Sequence, residues 1–249
     1  MKIRVPSILR TLYWKRKQRS IRVRTWDDLL AERAFDGASL AVVGNAGYLK
    51  DARLGSQIDE HDLVLRMNNF GVDGFEEAVG RRIDVFMTNF STRIVNYDNP
   101  AVRQARWIVS SRPNNFRKYR RQGVRDVFGR SITAGMHRLG REVVYVATLD
   151  FLCDHTRMLG EYPTTGAMAI LLAADWLAGA CRSVFFAGFS FFEGRSHYFS
   201  DRHVDAARDH NLIGEKELLS GKLAGLVARG TVTLDPVMQE YLRPTNKRS

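Results

Sequence analysis

Short apolar runs alternate with longer amphipathic stretches along this chain, and turn-forming residues stand at most of the boundaries. Residues 40–44 (L-A-V-V-G), 62–67 (D-L-V-L-R-M), 83–88 (I-D-V-F-M-T), 106–110 (R-W-I-V-S), 143–147 (V-V-Y-V-A) and 183–188 (S-V-F-F-A-G) predict six strands. A loop with a short helix is expected at 71–80. Residues 165–178, rich in Ala, Leu and Ile, predict a helix buried against a sheet, and 201–219 predict a later one. Strands alternating with helices are the mark of an α/β fold with one open, mostly parallel sheet and helices on both faces. Ligands bind such sheets at the carboxyl ends of the strands, where loops converge. There is no internal repeat, and the segment from residue 236 reads as a closing element with a polar tail.

The 249 residues suffice for one substantial core, so residues 25–249 are expected to form a single domain. Charge modifies the picture at the amino terminus. The formal net charge is +11, which favours anionic partners such as nucleotides, nucleic acid or acidic headgroups. Residues 1–24 hold nine Lys or Arg and no acid, and residues 103–141 hold eleven basic residues against Asp126 alone. The first block interleaves Ile3, Val5, Ile8, Leu9, Leu12, Tyr13 and Trp14 with its cations, as in an arm lying on an anionic membrane surface. No run approaches the roughly 18 apolar residues of a membrane span. Cys153 and Cys181 belong to no C-x-x-C pair or His-rich cluster, so no metal site is expected; the count alone leaves one internal disulfide open.

Candidate chemistry falls at the strand exits. Gly44, Asn45 and Gly47 (G-N-A-G) follow the first predicted strand, where backbone N–H groups and a helix dipole face an anion and Asn45 offers an amide to base, ribose or phosphate. The third glycine and the acidic residue of a dinucleotide fingerprint are absent, as is the Lys-Ser/Thr of a P-loop, which argues against an oxidoreductase or a P-loop enzyme. Asn68 and Asn69 end the second strand and suit either backbone capping or recognition of a base or ribose. In P-T-T-G (163–166), Thr164 or Thr165 caps the buried helix, and its first N–H groups, with Gly166, could hold a carboxylate or phosphate. Asp201, His203, Asp205 and Asp209 resemble a metal cluster in composition only.

These segments, taken in order, resemble the eukaryotic-type sialyltransferases, a family defined by large, small, third and very small sialylmotifs. The large motif is matched by A-V-V-G-N-A-G-Y-L-K, I-D-E-H-D-L-V-L-R-M-N and G-F-E-E-A-V-G-R-R-I-D-V-F-M. The small motif is matched by P-T-T-G-A-M-A-I-L-L-A-A with S-V-F-F-A-G-F-S-F, the third by H-Y-F-S, and the very small by H-N-L-I-G-E-K. The resemblance implies a Rossmann-like sialyltransferase variant of the GT-A fold in a soluble or peripheral bacterial-type member. It implies inverting transfer of sialic acid from CMP-sialic acid to a sugar hydroxyl, with no cofactor and no obligatory metal. Asn45 and Asn68 match donor-contacting asparagines, Thr165 and Gly166 the small-motif pair beside the donor, His210 the catalytic base, His197 the histidine near the donor phosphate, and Glu215 the very small motif's glutamate. Chemistry agrees: a hydroxyl is a weak nucleophile that a neutral imidazole can deprotonate, and a departing phosphate needs a donor or cation such as His197. Glu215 lies five residues from His210, off its helical face, and is assigned to orienting the surrounding structure.

Several positions depart from the family pattern. Leu40 stands where a bridging cysteine is usual and Cys181 lies near its partner's place, so the family disulfide is expected to be missing, in keeping with a reducing cytoplasm. Ala46 and Tyr48 replace commoner Ser and Asn, and Ser200 replaces an acidic or polar residue. With no anchor or stem in the sequence, the expectation is an enzyme on the cytoplasmic face of the inner membrane that builds lipopolysaccharide, lipooligosaccharide or capsule. Arg112, Arg117, Lys118, Arg120 and Arg121 would help hold an anionic glycolipid or oligosaccharide acceptor. CMP-Kdo is the alternative donor. A non-catalytic nucleic-acid or membrane-binding protein would account for the basic blocks and not for the ordered motifs, so no nucleic-acid partner is expected.

Overall fold

The computed structural model describes residues 19–91, 95–111, 130–191, 196–200 and 210–242. Among them, eight strands form one sheet: β1 (Arg22–Thr25), β2 (Ser39–Val43), β3 (Leu63–Met67), β4 (Val85–Thr88), β5 (Trp107–Ser110), β6 (Val143–Val146), β7 (Ser183–Ala187) and β8 (Val232–Leu234). Their order is β1-β6-β5-β4-β3-β2-β7-β8, and every pairing is parallel. The helices are α1 (Trp26–Ala31), α2 (Gly55–Asp59), α3 (Glu76–Val79), α4 (Pro100–Gln104), α5 (Arg130–Leu139), α6 (Leu149–Leu159), α7 (Thr165–Leu172), α8 (Leu212–Ala228) and α9 (Pro236–Tyr241).

Side chains alternate across each strand, so both faces of the sheet need a cover. Leu40 and Val42 of β2 share one face with Leu65, Met87 and Phe186, under Trp26 of α1, Phe151 of α6, Ile170 of α7, Leu223 of α8 and Met238 of α9. On the other face, Phe86, Ile108 and Val144 meet Val102 of α4 and Met136 of α5. Ala41, Val43 and Phe185 meet Ile58 of α2 and Val79 of α3. Full burial of each such large aliphatic side chain contributes about 1.5–3 kcal/mol. At the amino ends of the strands, carboxylates tie down backbone: Asp62 accepts from the Ser39 amide at 2.8 Å and Asp84 from the Val64 amide at 2.9 Å.

From β2 the chain builds outward through β3, β4, β5 and β6, then returns to lay β7 against the opposite side of β2. That reversal splays the loops leaving β2 and β7 in opposite directions and opens a crevice at their carboxyl ends. The expected α/β class and all six predicted strands are present within two residues of their predicted limits. β1 and β8 escaped prediction because both are edges: R-V-R-T carries cations where one rim meets solvent, and β8 has only three residues. β1 also begins inside the segment assigned to the basic arm, since Arg22–Thr25 pairs with Val143–Val146. Helix 165–178 is α7 continued by a π-helical turn, Ala173–Leu177. The later helix begins at Leu212 in its described part and extends to Ala228. Residues 1–18, the five cations from Arg112 to Arg121 expected to hold the acceptor, and the 201–209 cluster lie outside the described residues.

The β1 rim is fastened by one side chain. Glu32, which follows α1, accepts from Trp107 Nε1 of β5 at 2.7 Å, from the Tyr145 hydroxyl of β6 and from Arg24 of β1 at 3.0 Å. Burial pushes the Glu32 carboxyl up, but the bonds from Tyr145 and Trp107 and the charges of Arg24 and Arg106 outweigh it and hold the group below the ordinary glutamate value. A depressed folded value means the contribution is complete above the unfolded value and is lost as pH falls through the folded one. Glu32→Ala is expected to cost about 1–3 kcal/mol at neutral pH. Urea unfolding of variant and wild type should show that gap closing in acid; a gap independent of pH would remove the ionised carboxylate as the fastener.

Candidate active site

At the crevice, two glycines let two loop backbones meet. A Cβ on Gly44 would lie 2.1 Å from the Gly188 carbonyl oxygen, so no larger residue fits there without moving the strands. The Ala46 amide donates to that same carbonyl at 3.0 Å, and Gly188 adopts φ +81°. Beyond the glycines lies a cavity of about 210 Å³ bounded by the exits of β2, β3, β4 and β7, the first turn of α7 and the start of α8. Nine of the ten site residues expected from sequence line it: Gly44, Asn45, Asn68, Thr164, Thr165, Gly166, His197, His210 and Glu215. Gly47 does not. It begins a short 3₁₀ turn, and a Cβ there would fall 2.5 Å from Ser196 Oγ, so its bareness serves the packing of the 196–200 segment.

Asn45 spans from β2 to β3. Its side-chain Nδ2 donates to the carbonyls of Met67 (3.1 Å) and Asn69 (3.0 Å), and because both partners can only accept, the amide orientation is fixed. Its Oδ1 is thereby left buried without a partner, an acceptor awaiting an N–H or O–H. Asn68 sits in the left-handed region at φ +50°, a conformation asparagine tolerates, and its Oδ1 accepts from the Asn89 amide at 3.2 Å. Asn89 itself lines the cavity, as do Phe189 and Phe191. Sequence reasoning missed all three. The signal for Asn89 was its place at the exit of a predicted strand, the same position that singled out Asn45 and Asn68.

The first turn of α7 is built by one carboxylate. Thr164 is the N-cap: its Oγ1 accepts from the Ala167 amide at 3.0 Å and donates to Glu215 Oε2 at 2.7 Å, while the Thr164 amide donates to Glu215 Oε1 at 2.6 Å. Thr165 and Gly166 follow with helix-start amides that have no intrahelical acceptor, facing the cavity. Glu215 heads the buried stripe Leu219, Leu223 and Leu226 on α8, a phase that marks it as inward-pointing. Burial pushes the Glu215 carboxyl above the ordinary glutamate value, opposed by the two Thr164 bonds and by the nearby His210. His210 lies outside the helix, ahead of the Asn211 cap, so the two residues are not a helical pair and Glu215 spends both oxygens on Thr164.

His210 Nδ1 lies 2.6 Å from the Tyr162 carbonyl oxygen. A carbonyl accepts only, so Nδ1 carries the proton, and in the neutral ring Nε2 presents its lone pair. His197 arrives from the other side, its backbone bridged to Ala46 and its ring 5.1 Å from that of Phe199. Burial lowers its basicity below the ordinary histidine value. Tyr48 and Cys181, both at departures from the expected pattern, are accounted for locally. The Tyr48 hydroxyl donates to Asp235 at 2.6 Å, and Cys181 is a free, buried thiol, pushed up to about 12 by burial and then by Asp36.

Removing the Thr164 anchor should be costly because it orphans a buried amide and hydroxyl. Glu215→Ala is expected to lose about 2–4 kcal/mol of unfolding free energy, measured by denaturant titration. Retention of wild-type stability would show that α7 starts without the carboxylate.

Residues 32–112 match the model of glycosyltransferase family 29 (sialyltransferase). The chain is 50% identical over 56 residues to the pig CMP-N-acetylneuraminate-beta-galactosamide-alpha-2,3-sialyltransferase 1, covering 22% of this chain and 16% of that one. It is 27% identical over 203 residues to the rat CMP-N-acetylneuraminate-beta-1,4-galactoside alpha-2,3-sialyltransferase, covering 72% of this chain and 53% of that one. The alignments thus span about half of the rat enzyme and far less of the pig enzyme. The fold is that of the crystal structure of a mammalian sialyltransferase, with a TM-score of 0.50 at 19% identity over 94% of this chain and 86% of the other. The segment carrying the first glycine turn and the β3 and β4 exits is thus the part of the chain that is similar to glycosyltransferase family 29 (sialyltransferase).

Proposed function

We propose that this chain is an inverting, metal-independent transferase that moves sialic acid from CMP-sialic acid to a sugar hydroxyl of a bacterial surface glycan, at the cytoplasmic face of the inner membrane. The observation that carries the reading is the single cavity uniting the Gly44 turn, the α7 helix start, His197 and His210. The pig and rat relatives, both named for CMP-N-acetylneuraminate, support the choice of sugar.

In this reading the nucleotide occupies the crevice between the β2 and β7 loops, where the orphan Asn45 Oδ1 accepts from the base or ribose. The Thr165 and Gly166 amides face the donor's anionic groups, favoured by the positive end of the helix dipole. His210 Nε2 takes the acceptor hydroxyl proton as that oxygen attacks the anomeric carbon. The bond from the anomeric carbon to the phosphate oxygen breaks on the opposite face, and CMP leaves with the electron pair. His197, whose basicity burial lowers, gains basicity beside the phosphate and donates to the departing oxygen.

The test offers CMP-sialic acid and CMP-Kdo with a panel of truncated glycolipids. Transfer of sialic acid is expected; transfer from CMP-Kdo alone would reassign the donor, and transfer from neither by folded protein would sink the function. His210→Ala should lower kcat by about 10²–10⁴-fold while CMP binding persists. Undiminished turnover would remove His210 as the base.

A further inference from the structure

The glycine wall of the cavity is held from behind by a residue outside the matched motifs. Asp235 lies between β8 and α9 and is 1% exposed. One carboxylate oxygen, Oδ2, accepts from the Gly188 amide at 2.8 Å and from the Tyr48 hydroxyl at 2.6 Å. The other, Oδ1, accepts from the Met238 amide at 2.8 Å and so caps α9. The Asp235 amide donates to Phe186 O at 2.9 Å, which registers the residue against β7. The Gly188 amide is also 2.9 Å from the Tyr48 hydroxyl oxygen, which leaves the three groups in one closed triangle.

Neither Asp235 nor Tyr48 lines the cavity, yet each fixes a loop that does. Gly188 leaves β7, and Tyr48 lies in the 3₁₀ turn that continues from Gly44, Asn45 and Ala46. The triangle therefore joins the two loops on their outer side, opposite the close approach of Gly44 to the Gly188 carbonyl on the inner side. Tyr48 is pushed well above the ordinary tyrosine value by burial, then by the charge of Asp235 and the bond to it, and remains a neutral donor throughout the working range.

We propose that Asp235, with Tyr48, is a positioning residue for the donor, its carboxylate setting the separation of the two loops that form the glycine wall. The inference rests on the reading of this cavity as the nucleotide site. Asp235 acts through Gly188 and Tyr48 and touches no reacting atom, so its loss weakens donor binding and leaves the chemical step nearly intact at saturation.

The experiment compares wild type, Asp235→Asn and Tyr48→Phe, using CMP as the probe. An asparagine supplies one acceptor oxygen where two backbone amides each need one, and the phenylalanine removes a donor while sparing the Gly188 bond. Asp235→Asn is expected to raise the Kd for CMP about tenfold and the donor KM similarly, with kcat within about twofold; Tyr48→Phe should raise Kd about threefold. Amide hydrogen exchange, read without ligand, should accelerate in the variants at residues 44–48 and 186–190. If wild type binds CMP and the folded variants bind it equally well, the positioning role is overturned. If wild type does not bind CMP, the nucleotide-site reading fails instead, and exchange alone decides: acceleration confined to the two loops supports the bracket, and unchanged exchange overturns it. Should Asp235→Asn not fold, Tyr48→Phe decides by the same readouts.

Discussion

The architecture depends on two backbones passing each other with no room for a side-chain carbon. β2 and β7 are neighbours in the sheet, and their loops part just beyond Gly44 and Gly188. Closer than this, the carbonyl and the α-carbon would collide; farther apart, the Gly44 and Ala46 amides would lose their acceptors on Ala187 and Gly188. The crevice thus has a narrow range of allowed widths, set by sterics on one side and by hydrogen bonding on the other. Everything that lines the cavity is referred to this crossing: Asn45 follows it directly, and His197 is bridged to Ala46 one residue later.

Carboxylates do the joining between segments far apart in sequence. Glu32 ties β1 to β5 and β6, Asp62 ties β2 to the start of β3, and Glu215 ties α8 to the start of α7. Each accepts from backbone amides or from neutral side chains as well as, or in place of, a cation. At the buried Glu215 that choice suits the setting, because fixed N–H and O–H dipoles satisfy the charge without the desolvation cost of a second ion. Arg66 presents the opposite case: it is 1% exposed, its charged form is disfavoured by burial, and it is met by the carbonyls of Arg82 and Val79.

Strands buried on both faces write themselves as apolar runs, so the six inner strands and the α7 helix were legible from hydrophobicity alone. The two rim strands were not, since half of each faces solvent and the pattern that identifies a core strand is absent from R-V-R-T. At the site, glycines and asparagines at strand exits were readable as candidates, and the two histidines were readable from the ordered motifs in which they stand. Asn89 carried the same strand-exit signal and was passed over, while Phe189 and Phe191 resemble ordinary core residues and join the cavity only once the sheet brings the β7 exit to it. The Thr164–Glu215 link was invisible for a related reason: 51 residues separate its ends, and helical phase placed Glu215 inward without naming what it would meet.

The proton on His210 is positioned by a main-chain oxygen, that of Tyr162, where a carboxylate would be the more familiar partner. A carbonyl belongs to every amino acid, so replacing the Tyr162 side chain leaves the acceptor in place and the tautomer unchanged. The orienting partner of the proposed base is therefore encoded by the path of the chain and not by the identity of a residue. A substitution at position 162 would disturb the Tyr162 hydroxyl's bond to the Ser111 carbonyl and its packing against the core, and not the acceptor that sets the tautomer.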